Sequence, residues 1–149
     1  MFNNNTKVLI GIALVLAITY LTLFTDVLHP KKIQIAYSQP RMIAGAKADA
    51  VIFALDKPYV LTSVKVVSTD EARTNKFPHA LWHLVADLKQ QPVNAFLYGA
   101  HIRGMKPDVP NAVAESLQGN ENYSLIVEAG TKLKGEIVFH LASSPDPGN

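Results

Sequence analysis

The chain has 149 residues, no cysteine, and 14 Lys and Arg against 12 Asp and Glu, for a formal charge of +2. The missing cysteines exclude a disulfide scaffold, a cysteine nucleophile, thiolate zinc and a blue-copper site. The charge is too mild and too scattered to form a nucleic-acid-binding stripe, so no nucleic-acid partner is expected.

Val8 to Leu28, VLIGIALVLAITYLTLFTDVL, is uncharged between Lys7 and Asp26. A helix rises about 1.5 Å per residue, so about 20 apolar residues cross a hydrocarbon core about 30 Å thick. A buried core helix of this length would carry a polar stripe every third or fourth residue, and none is present. A cleaved secretory signal would need a more basic start, a shorter apolar core and an Ala-x-Ala-like site. Here Lys7 and the terminal amine are the only early charges, and Leu23-Phe24-Thr25-Asp26 offers no such site. The expectation is an N-terminal stub, 1–7, followed by an uncleaved single-pass anchor, 8–28, that contacts membrane lipid. Lys31, Lys32 and Arg41 follow the anchor, and the positive-inside bias alone would keep the domain in the cytoplasm. Long domains translocate largely regardless of flanking charge, however, and an Asn-rich stub is readily retained. The domain is therefore expected on the extracytoplasmic side, and the absence of cysteine fits a bacterial envelope.

His29-Pro30 should stop the helix, because proline lacks the amide donor. Residues 32–37 alternate polar with apolar, the period of a half-buried strand that Pro40 ends. Arg41 to Asp49 reads as a connection. Asp49 to Ala54 starts a second strand with Val51, Phe53 and Leu55 on one face. Asp56-Lys57-Pro58 reads as a turn, and Tyr59 to Ser68 as a third strand with Val64 and Val66 inward. Thr69 to Pro78 reads as a loop. His79 to Leu88 fits a strand, with Trp82 and Leu84 on one face, or a helix, with Leu81, Leu84, Val85 and Leu88 on one face; the neighbouring strands favour a strand. Asn94 to Ile102 is a further strand with Gly99 at a bulge, and Arg103 to Glu115 a long connection. Tyr123 to Ala129 and Leu133 to Leu141 form a hairpin around Gly130-Thr131-Lys132. The polar, proline-rich segment 143–149 is expected to be disordered. About seven short strands without a soluble helix mean a mainly β domain, 31–142, built as a sandwich or barrel.

Leu117-Gln-Gly-Asn-Glu-Asn-Tyr123 resembles the tyrosine corner of immunoglobulin-like and fibronectin type III domains. In that family a leucine precedes the tyrosine by six residues, with a glycine-containing turn between, before the penultimate strand. Leu117, Gly119 and Tyr123 occupy those places, whereas the family's proline before the glycine is replaced by Gln118. The resemblance implies an antiparallel immunoglobulin-like β-sandwich in which the Tyr123 hydroxyl bonds upstream backbone. Trp82 falls later than the family's core tryptophan.

Candidate chemistry is sparse. His79 and His83, four apart, would share a zinc on a helix but lie about 13 Å apart on a strand. No third ligand accompanies them, so His29, His79, His83, His101 and His140 read as surface residues, with no metal and no cofactor expected. A copper carrier using Met42, Met105 and histidines is the least supported alternative. Ser63, Ser68 and Ser124 stand outside any Gly-x-Ser-x-Gly elbow. Asp56, Asp70, Asp87 and Glu128 form no selected acid–base pair, so the chain does not read as an enzyme. Tyr37, Tyr59, Trp82 and Tyr98 would either fill the core or form a flat platform for sugar rings. Arg103 and Met105 open the long connection where a protein partner would be sought. The expected function is a membrane-anchored binding or scaffolding module, with Arg103, Met105, Trp82 and Tyr98 as candidate binding residues. Its alternative is a carbohydrate- or small-ligand-binding envelope domain.

Overall fold

A computed structural model describes residues 3–24, 32–40 and 50–141. The chain divides into two compact units, Met1–Lys31 and Lys32–Asn149. The expected helix stop at His29-Pro30, the connection Arg41 to Asp49 and the tail 143–149 lie outside the described residues.

The first unit is one helix, α1 (Asn4–Phe24). It starts a turn earlier than the apolar run, with Asn3 accepting hydrogen bonds from the Thr6 and Lys7 amides. Its large side chains are exposed all round: Val8, Leu9, Ile12, Leu14, Leu16 and Ile18 each keep at least half of their surface open. The Thr19 hydroxyl donates to the Val15 carbonyl at 2.8 Å, so this polar side chain is satisfied within the helix. Among the described residues, α1 is the only helix long and apolar enough to cross a membrane, over Asn4–Leu21 at a mean hydropathy of 1.5. Residues 25–28 of the predicted span lie outside the described residues.

The second unit is mainly β. Its strands are β1 (Ile35–Ser38), β2 (Ile52–Val60), β3 (Ser63–Ser68), β4 (Ala80–Ala86), β5 (Pro92–Leu97), β6 (Met105–Pro107), β7 (Asn122–Ala129) and β8 (Leu133–His140), with a short helix α2 (Thr69–Thr74) after β3. They form two antiparallel sheets, one of three strands in the order β1-β2-β5 and one of five in the order β6-β4-β3-β7-β8. Alternation decides which side chains are covered. On β3, Val64 and Val66 are buried while Ser63 and Lys65 are half-buried on the other face. Ring contacts link side chains from the two sheets: Phe53 of β2 meets Phe139 of β8 edge-on at 5.1 Å, and Trp82 of β4 lies 6.2 Å from Phe96 of β5.

Four expectations change. Asp56-Lys57-Pro58 is not a turn; β2 runs through it with a shift of register between Ala54 and Tyr59. A bulge tolerates a proline that cannot donate, and the Tyr59 hydroxyl lies 3.0 and 3.1 Å from the two Asp56 carboxylate oxygens. The break falls instead at Leu61-Thr62, where the chain passes from one sheet to the other, so the expected single strand Tyr59 to Ser68 is split between the two sheets. The Thr62 amide donates to Glu128 and its carbonyl accepts from Ala86, fixing β3 between β7 and β4. The expected loop Thr69 to Pro78 begins with α2, whose first turn carries Asp70 and Glu71, as a helix N-terminus favours. Gly99, expected at a bulge, has a φ of 72° in the turn after β5, and that strand stops at Leu97.

The ambiguous stretch is the strand β4. Pairing with β3 on one side and β6 on the other satisfies its backbone, and Trp82 and Leu84 point into the core. Leu88, which a helix would have buried, is 99% exposed.

Candidate functional site

β4 carries a concavity on its outer face. Pro107 ends β6, and the Asp108 amide then donates to the His83 carbonyl at 3.1 Å. Seven residues later the Glu115 amide donates to the Leu81 carbonyl at 2.9 Å. Between these ties, residues 109–114 arch away from the strand through a turn in which the Ala112 amide donates to Val109, with Asn111 in the left-handed region at φ 64°. Asparagine tolerates that conformation better than most residues. The arch and β4 enclose a cleft of about 330 Å³. Its apolar lining includes Leu81, Val109, Ala112 and Val113, and its polar lining is His79, His83, Asp108 and Glu115.

Each tie is doubled by a side-chain pair. His79 Nε2 lies 2.6 Å from Glu115 Oε1, and His83 Nδ1 lies 3.1 Å from Asp108 Oδ2. The hydrogen bond to Glu115, then its charge and that of Glu71, holds the His79 imidazole above its ordinary pKa. Glu71 also accepts the His79 amide at 2.9 Å, so α2 is tied to the entry of β4. The result is an apolar strip bounded by a histidine–carboxylate pair at each end, under an arch whose Val109 and Val113 are 63% and 86% exposed. It offers apolar contact along its length and hydrogen-bonding groups at both ends.

Among the residues expected at a binding site, Arg103 is exposed, and among the described residues its guanidinium reaches Gln91 Oε1, at 3.5 Å. Met105, Trp82 and Tyr98 are core residues, 5%, 5% and 9% exposed. Trp82 and Tyr98 pack edge to face at 5.3 Å, so neither presents an open ring to a sugar. Tyr59 is buried, and Tyr37 packs against Phe139. Tyr98 acts instead as a support, its hydroxyl donating to the Glu115 carbonyl at 2.8 Å.

No family model, curated protein or solved structure matches the chain.

The histidines are distributed rather than gathered. His79 and His83 each take their own carboxylate, and His140 Nδ1 lies 3.1 Å from Asn122 Oδ1. Among the described residues no three His, Asp or Glu side chains are placed to hold a metal ion. Met42 and His29 lie outside the described residues. At the turn before β7, Tyr123 is 2% exposed; its hydroxyl accepts from the Gln118 amide at 2.7 Å and lies 3.1 Å from Glu121 Oε2. Leu117 is buried beside it, and the left-handed position of the turn is Asn120, at φ 66°, rather than Gly119.

The structure also joins three residues that the sequence kept apart. Ser63 Oγ lies 3.4 Å from His83 Nε2, on the ring nitrogen opposite the one facing Asp108. Their positions, 63, 83 and 108, give no spacing signal. Alternation could place Ser63 and His83 on a polar face, but not beside each other.

Proposed function

We propose that the chain is a single-pass membrane protein in which α1 anchors an immunoglobulin-like β-sandwich on the extracytoplasmic side, where the sandwich binds or scaffolds a protein partner. The observation that carries this is the unbroken apolar surface of α1, with its large side chains exposed all round and no polar stripe to seat it in a soluble core. Two antiparallel sheets with a Greek-key-like exchange of strands, and the Tyr123 hydroxyl bonded to backbone five residues upstream, support the sandwich. The arch over the β4 cleft, with Val109 and Val113 presented to solvent, supports it as the contact surface. Confinement at a bilayer raises local concentration, so weak contacts suffice.

The experiment is alkaline extraction of membranes from cells expressing the full chain, followed by the intact mass and protease treatment of spheroplasts. The expected result is an uncleaved chain that resists extraction, with its β domain digested from outside. A shortened chain in the soluble fraction overturns the anchor. The sandwich assignment is tested by Tyr123→Phe, which removes the hydroxyl that accepts from the Gln118 amide and should cost about 0.5–1.5 kcal/mol in denaturant unfolding; unchanged stability counts against it.

A further inference from the structure

Outward of the core, the five-stranded sheet carries a chain of three hydrogen-bonding side chains across neighbouring strands. Lys65 is directly opposite His83, and Ser63 directly opposite Val85, so Ser63 and His83 are diagonal neighbours on one face. Asp108 follows β6 on the far side of β4 and is positioned by its own amide, which donates to the His83 carbonyl at 3.1 Å. The carboxylate lies 3.1 Å from Nδ1 and the serine oxygen 3.4 Å from Nε2. A carboxylate on Nδ1 favours the tautomer with hydrogen on that nitrogen, which turns the Nε2 lone pair toward the serine hydroxyl. The side chains of His83 and Asp108 are 28% and 49% exposed and Ser63 is half-buried, so solutes reach the group. Lys65, two residues from Ser63, shares that face of β3. Glu128, opposite Ser63 on β7, is paired with Lys134 at 3.7 Å.

We propose that Ser63 is a base-activated nucleophile that accepts an acyl group from small activated esters. This goes beyond the binding role, because neither the anchor nor the cleft requires it. Ser63 Oγ attacks the carbonyl carbon as its proton passes to His83 Nε2. The tetrahedral adduct collapses by breaking the bond to the alcohol oxygen, which takes that proton from Nε2, and the acyl group stays on Ser63. Asp108, on the far ring nitrogen, stabilises the imidazolium that forms.

The test uses the full chain in detergent with a fluorophosphonate probe. Oγ displaces fluoride from phosphorus, a stable O–P bond forms, and the proton goes to the base. The expected result is one adduct, mapped by peptide mass spectrometry to Ser63. It should be absent in Ser63→Ala and form at least about 100-fold more slowly in His83→Gln. Asp108→Asn, at a half-exposed position, should also slow labelling while the far-ultraviolet spectrum stays unchanged, which covers the case where His83→Gln misfolds. An adduct confined to other residues, no adduct, or a Ser63 adduct whose rate is unchanged in both variants would overturn the proposal and leave the three side chains as a surface hydrogen-bond chain.

Discussion

At the scale of single residues, the histidine–carboxylate pairs on β4 set measurable properties. The Glu115 hydrogen bond and charge hold the His79 imidazole above its ordinary 6.5. A folded pKa above the unfolded one contributes stability that is fully present below about 6.5 and is lost as pH rises through the folded value. With the imidazole 61% exposed, solvent screens most of this, so the clearest readout is the titration itself. Nuclear magnetic resonance of the full chain should show His79 titrating above the ordinary range and returning toward it in Glu115→Gln. A titration unmoved by that change would mean the pair does not form in solution. The Ser63–His83–Asp108 chain belongs to the same scale: each group is commonplace, and only the two short distances give them a joint property.

At the scale of elements, backbone crossings demand small residues. Residues 32–33 run closely against β8, with the Ile33 amide donating to the Lys134 carbonyl at 3.1 Å. A Cβ on Gly135 would sit 2.6 Å from the Ile33 carbonyl oxygen and 2.9 Å from its Cβ. Backbone cannot yield as a flexible side chain does, so Gly135→Ala should lower stability by about 1–3 kcal/mol in denaturant unfolding. Gly104 is more constrained, with a φ of 81° and the Lys89 carbonyl where a Cβ would go. The bulge in β2 shows why the turn signal misled. Asp56-Lys57-Pro58 has turn composition, but Asp56 and Tyr59 bond each other and β5 resumes pairing at Tyr59. β4 is the converse case, where two paired neighbours override a local pattern that suits a helix.

At the scale of the whole β unit, stability gathers around an aromatic cluster supplied by both sheets. Trp82 touches Phe96 and Tyr98, Phe53 touches Phe96 and Phe139, and Tyr123 touches Phe139. Trp82→Ala should therefore cost about 3–5 kcal/mol, a large part of the 5–15 kcal/mol typical of a domain. Loss of cooperative unfolding in that variant would agree; near-normal stability would return Trp82 to the role of a surface binding residue.

What the sequence determined by itself was everything governed by nearest-neighbour pattern: one long apolar helix, the β class of the rest, the inward faces of β3, β7 and β8, and the hairpin that joins the last two. Helical and strand periods are local, so a single chain displays them. What the tertiary structure decided was partnership. It placed the sheet crossing at Leu61, covered Trp82, Tyr98 and Met105, and set Ser63, His83 and Asp108 in line. A period of two assigns a side chain to a face, while strand register and order, fixed by packing of distant segments, choose its neighbour across the sheet.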